Sequence, residues 1–387
     1  MDPKKIVQAY QKQGARIETK ARTKLKGKKD FSLWYTPGVG AASTHLAKNP
    51  KDARMMSVKK NSVAVVSDGS AVLGLGNIGP YGALPVMEGK ALIFKGMANV
   101  DAWPIVLDTS SLKLRSASTQ EEIDFIVETV KAIAPAFGGI NLEDIAAPKC
   151  FEIERRLTEE LDIPVMHDDQ HGTAIVVLAG LINAAKVVKK DLKALKIVIS
   201  GAGAAGTAVA KLLLASGASD IILLDRAGTI YAGRKNLNEN KAELAALTNP
   251  RKVEGGLAEA MAGADVFVGV SGKGLLHSDH IRSMAPKGIV FALANPIPEI
   301  MPDEAKAAGA LVVATGRSDF PNQINNALVF PGIFRGALDK GVTKITEETK
   351  LRAAKALAAL VGKPSVQKII PDILDKRVVK AVAKAVR

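Results

Sequence analysis

Two acidic pairs carry the chemistry most plainly written into this chain. They are Glu143-Asp144, within Asn141-Leu142-Glu143-Asp144-Ile145, and Asp168-Asp169, within Met166-His167-Asp168-Asp169-Gln170-His171-Gly172-Thr173. One acidic pair is ordinarily a solvated turn. Two pairs in short apolar-flanked segments, shortly followed by a nucleotide-binding fingerprint, point to a hard divalent cation held by oxygens and shared with a substrate.

That fingerprint is Gly201-Ala202-Gly203-Ala204-Ala205-Gly206, placed after the apolar run Ile197 to Ser200 and before an apolar helix. The glycines allow a tight turn and close approach of backbone to pyrophosphate, and the helix start offers free N–H groups to the phosphates. The next strand ends at Asp225, near the spacing expected of an acid that binds the adenosine ribose, and Arg226 follows it. The acid favours the 2′-hydroxyl of NAD, whereas a guanidinium suits the 2′-phosphate of NADP. Both cofactors stay open. A second match, Gly74-Leu75-Gly76-Asn77-Ile78-Gly79, is followed at once by Pro80, Gly82 and Pro85, which predicts a tight loop and no sustained helix.

The elements that must position these groups follow from periodicity. A short helix is expected over residues 3–13, then a polar, basic arm over 14–30. Buried strands are expected at 62–67, 91–94 and 102–107, and a helix over 121–133 opened by a cap region at 118–121. From about residue 165 strand and helix alternate: helix 173–188, strand 197–200, helix 206–215, then strands 221–224, 266–270, 289–293 and 311–314. Continuous apolar strands joined by helices mark a parallel sheet covered on both faces. From Thr346 the chain reads as helical, with breaks at Pro364 and Pro371. The fold class is α/β: a smaller N-terminal α/β substrate domain (1–160), then a Rossmann-type doubly wound parallel-sheet domain with C-terminal helices (161–387).

Bulk properties narrow the function. At 387 residues, with 47% hydrophobic and 24% charged residues, this is an ordinary globular composition with room for two cores. The single cysteine, Cys150, excludes an internal disulfide and a thiolate-cluster metal site, fits a reducing cytoplasm, and reads as a buried small residue without an evident base. No apolar signal region or membrane span is expected. The net charge is +14, and the basic runs at Lys20 to Lys29 and Lys376 to Arg387 have no base-stacking residues between the lysines. A field that draws in a dianionic substrate and a phosphate-bearing cofactor is expected, not nucleic-acid binding.

Seven ordered motifs then give the chain a family resemblance over nearly its whole length. They are Trp34-Tyr35-Thr36-Pro37-Gly38-Val39-Gly40, Val65 to Gly79, Pro85-Val86-Met87-Glu88-Gly89-Lys90, Phe137 to Asp144, His167 to Thr173, Ala294-Asn295-Pro296, and Phe320 to Asn326. The chain resembles the malic enzymes, in their short bacterial form. The resemblance implies oxidation of L-malate with NAD or NADP and Mg2+ or Mn2+, releasing CO2 and pyruvate. It implies Glu143, Asp144 and Asp169 as metal ligands, Lys90 as general base, Tyr35 as general acid and Asp168 as the carboxylate beside the lysine. It also implies Asn295 and Asn325 or Asn326 as malate-binding amides, Asn295 close to the cofactor as well, and a cytoplasmic homodimer.

The chemistry of the residue types agrees. A lysine can take the C2 hydroxyl proton if desolvation and a nearby cation bring its pKa toward 7. Three carboxylate ligands leave coordination sites for substrate, so His167 and His171 are assigned to packing or hydrogen bonding. One departure stands out. The longer, eukaryotic-type enzymes place an arginine that binds malate where Ala71 stands here, so Ser70, Arg317 or backbone N–H groups of the glycine loop must meet the substrate carboxylate. An acetyltransferase-like extension, carried by some bacterial relatives, is not expected.

Taken singly, each residue has a plainer use: Tyr35 with Trp34 as a core pair, Lys90 as a surface lysine, Glu143-Asp144 as a helix cap, and the asparagines as turn formers. Only the joint pattern makes them functional. Two other activities compete. An amino-acid dehydrogenase shares the layout but has no need of two acidic pairs; a malolactic-type lyase would decarboxylate malate with no net hydride release.

Overall fold

The computed structural model describes residues 2–109 and 119–387, and in it two sheets follow one another along the chain. Four helices come first: α1 (Pro3–Gln13), α2 (Lys28–Trp34), α3 (Gly38–Lys48) and α4 (Ala53–Met56), none with a buried residue. The first sheet comprises β1 (Ser62–Ser67), β2 (Asp101–Val106), β3 (Gly139–Leu142) and β4 (Val165–His167). Its connections contain α5 (Gly79–Ala98), α6 (Thr119–Ile133) and α7 (Lys149–Glu160). The strand order is β2-β1-β3-β4, all parallel.

Helix α8 (Asp168–Val188) leads into the second sheet. There β5 (Lys196–Ser200), α9 (Ala204–Ala215), β6 (Asp220–Asp225) and β7 (Gly228–Thr229) are followed by α10 (Glu239–Leu247) and α11 (Leu257–Met261). Then come β8 (Val266–Gly269), α12 (Ser278–Arg282), β9 (Ile289–Ala292), α13 (Pro302–Ala307) and β10 (Val312–Thr315). The order is β10-β9-β8-β5-β6-β7, parallel except where β7 pairs with β6. Helices α14 (Phe330–Lys340), α15 (Glu347–Ala359) and α16 (Arg377–Ala385) close the chain.

Strand period sorts the cores. Val63 and Val65 of β1 face one apolar cluster while Ala64 and Val66 face another. The first cluster is continuous across both sheets, with α5, α8, α9 and the C-terminal helices inside it, so the two halves share packing. Phe94 of α5 lies in it, 4.7 Å and 5.5 Å from the rings of Phe330 and Phe334. Phe94→Ala is therefore expected to lower unfolding free energy by about 3–5 kcal/mol, measurable by urea denaturation.

Two expectations fail here. Residues 91–94 are helical: Met87, Ala91, Phe94 and Ala98 are buried at helical spacing, and a short apolar run does not by itself distinguish strand from helix. The second glycine motif does open a sustained helix, α5, because Pro80 sits in its first turn, where no N–H is needed. Pro85 interrupts it on a side where Tyr81 is 87% exposed, so water can serve the carbonyl left over. Separately, α8 has the length and composition of a membrane span, and its burial marks it as the central helix of the core. The helix expected over 121–133 forms as α6, while position 118 of its cap region lies outside the described residues.

Candidate active site and metal centre

Strand register brings the acids together. β3 and β4 are parallel neighbours with Leu142 opposite His167, so the residues that follow each strand leave the sheet side by side at its C-terminal edge. Glu143 and Asp144 thus meet Asp168 and Asp169. Carboxylate oxygens of Glu143, Asp144 and Asp169 lie within 4.8 Å of one another. The Asp144 N–H donates to Asp169 Oδ2 at 2.8 Å, and Asp144 itself has a left-handed φ of 53°. This set of hard oxygens, two of the acids buried and Asp169 half-buried, suits Mg2+ or Mn2+ and no soft metal.

Lys90 comes from α5 across the cleft. Its Nζ lies 2.6 Å from Asp168 Oδ2 and 2.8 Å from Glu143 Oε1, and 4.2 Å above the ring of Phe330. The side chains of Lys90, Glu143 and Asp168 are at most 7% exposed. Sequence reasoning tied a Lys90 pKa near 7 to desolvation together with a nearby cation; among the acids alone it rises. Burial alone would lower it, but Asp168 and Glu143 favour the ammonium more strongly. Burial also raises the Glu143 carboxyl well above its usual range, and Asp169, Asp168 and Asp144 push it further against the pull of Lys90. Four crowded carboxylates are short of positive charge, which is the physical mark of a cation site.

Behind the acids lies a group that sequence reasoning missed. Glu154 of α7 accepts the backbone N–H of His167 at 2.7 Å, Gln170 Nε2 at 3.0 Å and His171 Nε2 at 2.9 Å. Lys350 of α15 reaches His171 Nδ1 at 2.9 Å. Burial would raise the Glu154 carboxyl, but His171, His167 and Lys350 hold it at about 2. His167 contacts Cys150, which is fully buried, so the thiol does have an imidazole neighbour. Nothing local in the helix marks Glu154 among its acidic neighbours; only the packing of α7 beside the β4–α8 turn does.

The glycine fingerprint folds as expected. It links β5 to α9, whose first turn carries Ala204, Ala205 and Gly206 and has no side-chain cap, leaving its N–H groups to a phosphate. A Cβ on Gly206 would stand 1.7 Å from the carbonyl oxygen of Gly201, which excludes any larger residue, while space around Gly203 is open. At the end of β6, Asp225 is paired at 2.6 Å with both Arg234 and Lys241, while Arg226 is exposed. Burial works against the Asp225 carboxylate, but those two partners hold its pKa at about 2.

The remaining residues are unevenly placed. Asn295 packs against the second glycine motif: a Cβ on Gly74 would meet the Asn295 carbonyl oxygen at 2.1 Å, so the two halves touch there. Asn326 lies beside Gly172 in the first turns of α8, whereas the Asn325 side chain is spent accepting Ala327 N–H at 2.9 Å. Of the groups that could replace the arginine at Ala71, Ser70 is bonded to Asp68 and to Ala146 N–H. Arg317 pairs with Asp319 at 2.6 Å on the surface, a partner that costs little to exchange. Tyr35 stands apart. It is 59% exposed, edge-on to Phe31 at 5.3 Å, and within the described residues no hydrogen bond or ring contact joins it to Lys90.

Comparison with known proteins agrees with this geometry. Residues 14–158 match the family model of the malic enzyme N-terminal domain, and residues 170–387 match that of the malic enzyme NAD binding domain. The chain is 55% identical to the NAD-dependent malic enzyme of Geobacillus stearothermophilus, covering 96% of this chain and 76% of that one. It is 53% identical to the bifunctional malic/malolactic enzyme of Bacillus subtilis, covering 96% and 88%. The crystal structure of the NAD-dependent malic enzyme from Thermotoga maritima superposes with a TM-score of 0.93 at 46% identity, covering 100% and 99%. NADP-dependent malic enzymes are also among its relatives. On these grounds the chain belongs to the malic enzyme family, the NAD(P)-dependent oxidoreductases that oxidise and decarboxylate malate.

Proposed function

We propose that the cleft between the two sheets converts L-malate to pyruvate and CO2 with Lys90 as the base, Tyr35 as the acid, and Glu143, Asp144 and Asp169 as the metal ligands. The observation that carries this reading is Lys90 Nζ held between Asp168 and Glu143 at the edge of the carboxylate cluster. A Mg2+ or Mn2+ ion, when bound, supplies the positive charge that favours a negative oxygen at C2 of malate. With a cation offsetting the charge of Glu143 and its neighbours, their hold on the ammonium loosens, so that Lys90 can shed its proton and then take the one from the C2 hydroxyl as hydride leaves for the nicotinamide. Asp168, whose carboxyl burial pushes up, lies 2.6 Å away and can share that proton. Asn295 and Asn326 orient the substrate, and Asn325 shapes their loop. After CO2 departs, the Tyr35 hydroxyl protonates C3. We place the division between substrate and cofactor domains near residue 160.

Tyr35 reaches this site from a second copy of the chain. Supporting this, Trp34 and Tyr35 are 56% and 59% exposed, Phe31 and Leu33 of α2 are exposed with them, and Met55 and Val58 are exposed farther along the chain. Helices α1 to α4 bury no residue of their own, and a large exposed apolar patch on a globular protein marks an interface. The protein is then a homodimer, whose free, buried Cys150 suits a cytoplasmic setting.

The test is absorbance at 340 nm with malate, Mn2+ and either cofactor, with lactate assayed in parallel. NAD(P)H formed in step with pyruvate supports the reading, and lactate without NAD(P)H supports a malolactic lyase in its place. That second reading draws on the relative named as bifunctional. For the cofactor, Arg234 and Lys241 offset the charge of Asp225, which supports use of NADP as well as NAD. Lys241→Gln is expected to raise KM for NADP about tenfold and to change KM for NAD far less, since a charge-assisted hydrogen bond contributes roughly 1.5–3 kcal/mol. Steady-state kinetics with both cofactors checks it.

A further inference from the structure

We infer that Glu154 is a positioning residue for the metal centre, acting through Gln170 and His167 on Asp169. This inference rests on the ligand set proposed above. The starting point is a problem of aim. Asp168 and Asp169 are consecutive in the first turn of α8, yet one must face Lys90 and the other the cation. His167 sits at the N-cap and supplies no side-chain cap, so the turn depends on acceptors from elsewhere. Glu154 is that acceptor. One of its oxygens takes the His167 N–H, and the other takes both Gln170 Nε2 and His171 Nε2.

The Gln170 amide nitrogen lies 3.0 Å from His167 Nδ1 as well as 3.0 Å from Glu154. A nitrogen held by a carboxylate is the amide NH2, so it donates to Nδ1 and leaves the ring proton on Nε2. That Nε2 is 3.3 Å from Asp169 Oδ2, which also accepts Asp144 N–H at 2.8 Å. With Asp144 N–H on Oδ2, the Oδ1 of Asp169 is the oxygen left to serve as a ligand. Glu154 touches neither substrate nor the reacting atoms, and it orients a ligand in the way outer-shell partners do at metal sites. Glu154 is bonded to Gln170 and Gln170 to His167, whose Nε2 then faces Asp169 Oδ2 at 3.3 Å.

The experiment is direct Mn2+ titration of the full chain, read by electron paramagnetic resonance, with cofactor affinity measured by fluorescence on the same samples. Glu154→Gln is expected to weaken Mn2+ binding about 10–100-fold, the range for losing such a partner, and to leave the cofactor Kd within about twofold. Gln170→Met keeps Glu154 and its bonds to the backbone and His171 but removes the donor to His167, and it is expected to weaken Mn2+ binding about tenfold. Unchanged Mn2+ affinity in both variants overturns the inference. So does a parallel fall in metal and cofactor affinity, which a general loss of structure produces. Asp169→Asn separates this from the ligand assignment: if it keeps wild-type Mn2+ affinity the ligand set is wrong, and if it loses Mn2+ while both other variants bind normally, only the role of Glu154 is wrong.

Discussion

Lys90→Ala is expected to lower kcat by about 10²–10⁴-fold, the range for removing a positioned general base. The argument rests on the geometry around Nζ, which has carboxylate oxygens at 2.6 Å and 2.8 Å and an aromatic ring as its third neighbour. Among the described residues, Lys90 is the amine that pairs with Asp168 and Glu143. The loss is expected in kcat, because the proton moves only in the reaction, and malate KM is expected to change by less than tenfold. Lys90→Arg is a useful companion. It keeps the positive charge between the two acids but does not release a proton near neutral pH, so it is expected to be as inactive while folding normally. Stopped-flow NADH formation, with circular dichroism to check folding, measures both. Turnover near the wild-type rate in either variant would remove Lys90 from the base role.

The second large effect is complementation between two dead variants. Tyr35→Phe alone is expected to lose about 10²-fold or more in kcat for want of the proton donor at C3. If each site takes its tyrosine from the partner, a dimer of one Tyr35→Phe chain and one Lys90→Ala chain has one intact site. That site joins the lysine of the first chain to the tyrosine of the second. Equal mixing under exchange makes about half of the dimers mixed, so about a quarter of wild-type activity should return. If Tyr35 serves its own chain, every site in every dimer stays defective and nothing returns. Titrating one inactive variant into the other and following absorbance at 340 nm gives the answer, with light scattering to confirm exchange.

These effects also show where sequence reasoning reached and where it stopped. The acidic pairs, the glycine fingerprint and the strands around them were legible because each is local: a few adjacent side chains, a period of two, a turn that only glycine makes. The helix at 79–98 was not, since Ala91 to Phe94 reads equally well as a strand until α5 is laid against β1 and β2. Pro80 and Pro85 argued against a helix whose first turn and exposed side tolerate them. Glu154 carried no signal at all. That Asp168 and Glu143 together hold the Lys90 pKa up was not legible either, because sequence gives its neighbours in the chain but not the groups that fold onto it.

Composition and motif order in themselves determined an α/β chain of two units with a dinucleotide turn and an oxygen-rich candidate cation site. Those properties come from short-range chemistry, which a string of residues preserves. Pairing Leu142 opposite His167 was decided only in three dimensions, and it turns two separate acidic pairs into one cluster. The tertiary structure alone also placed Lys90 between Asp168 and Glu143, set Glu154 behind the ligands, and left Tyr35 facing outward. The reason is physical: contact between residues far apart in the chain depends on strand register and on how helices share one core, and neither is stored at any single position.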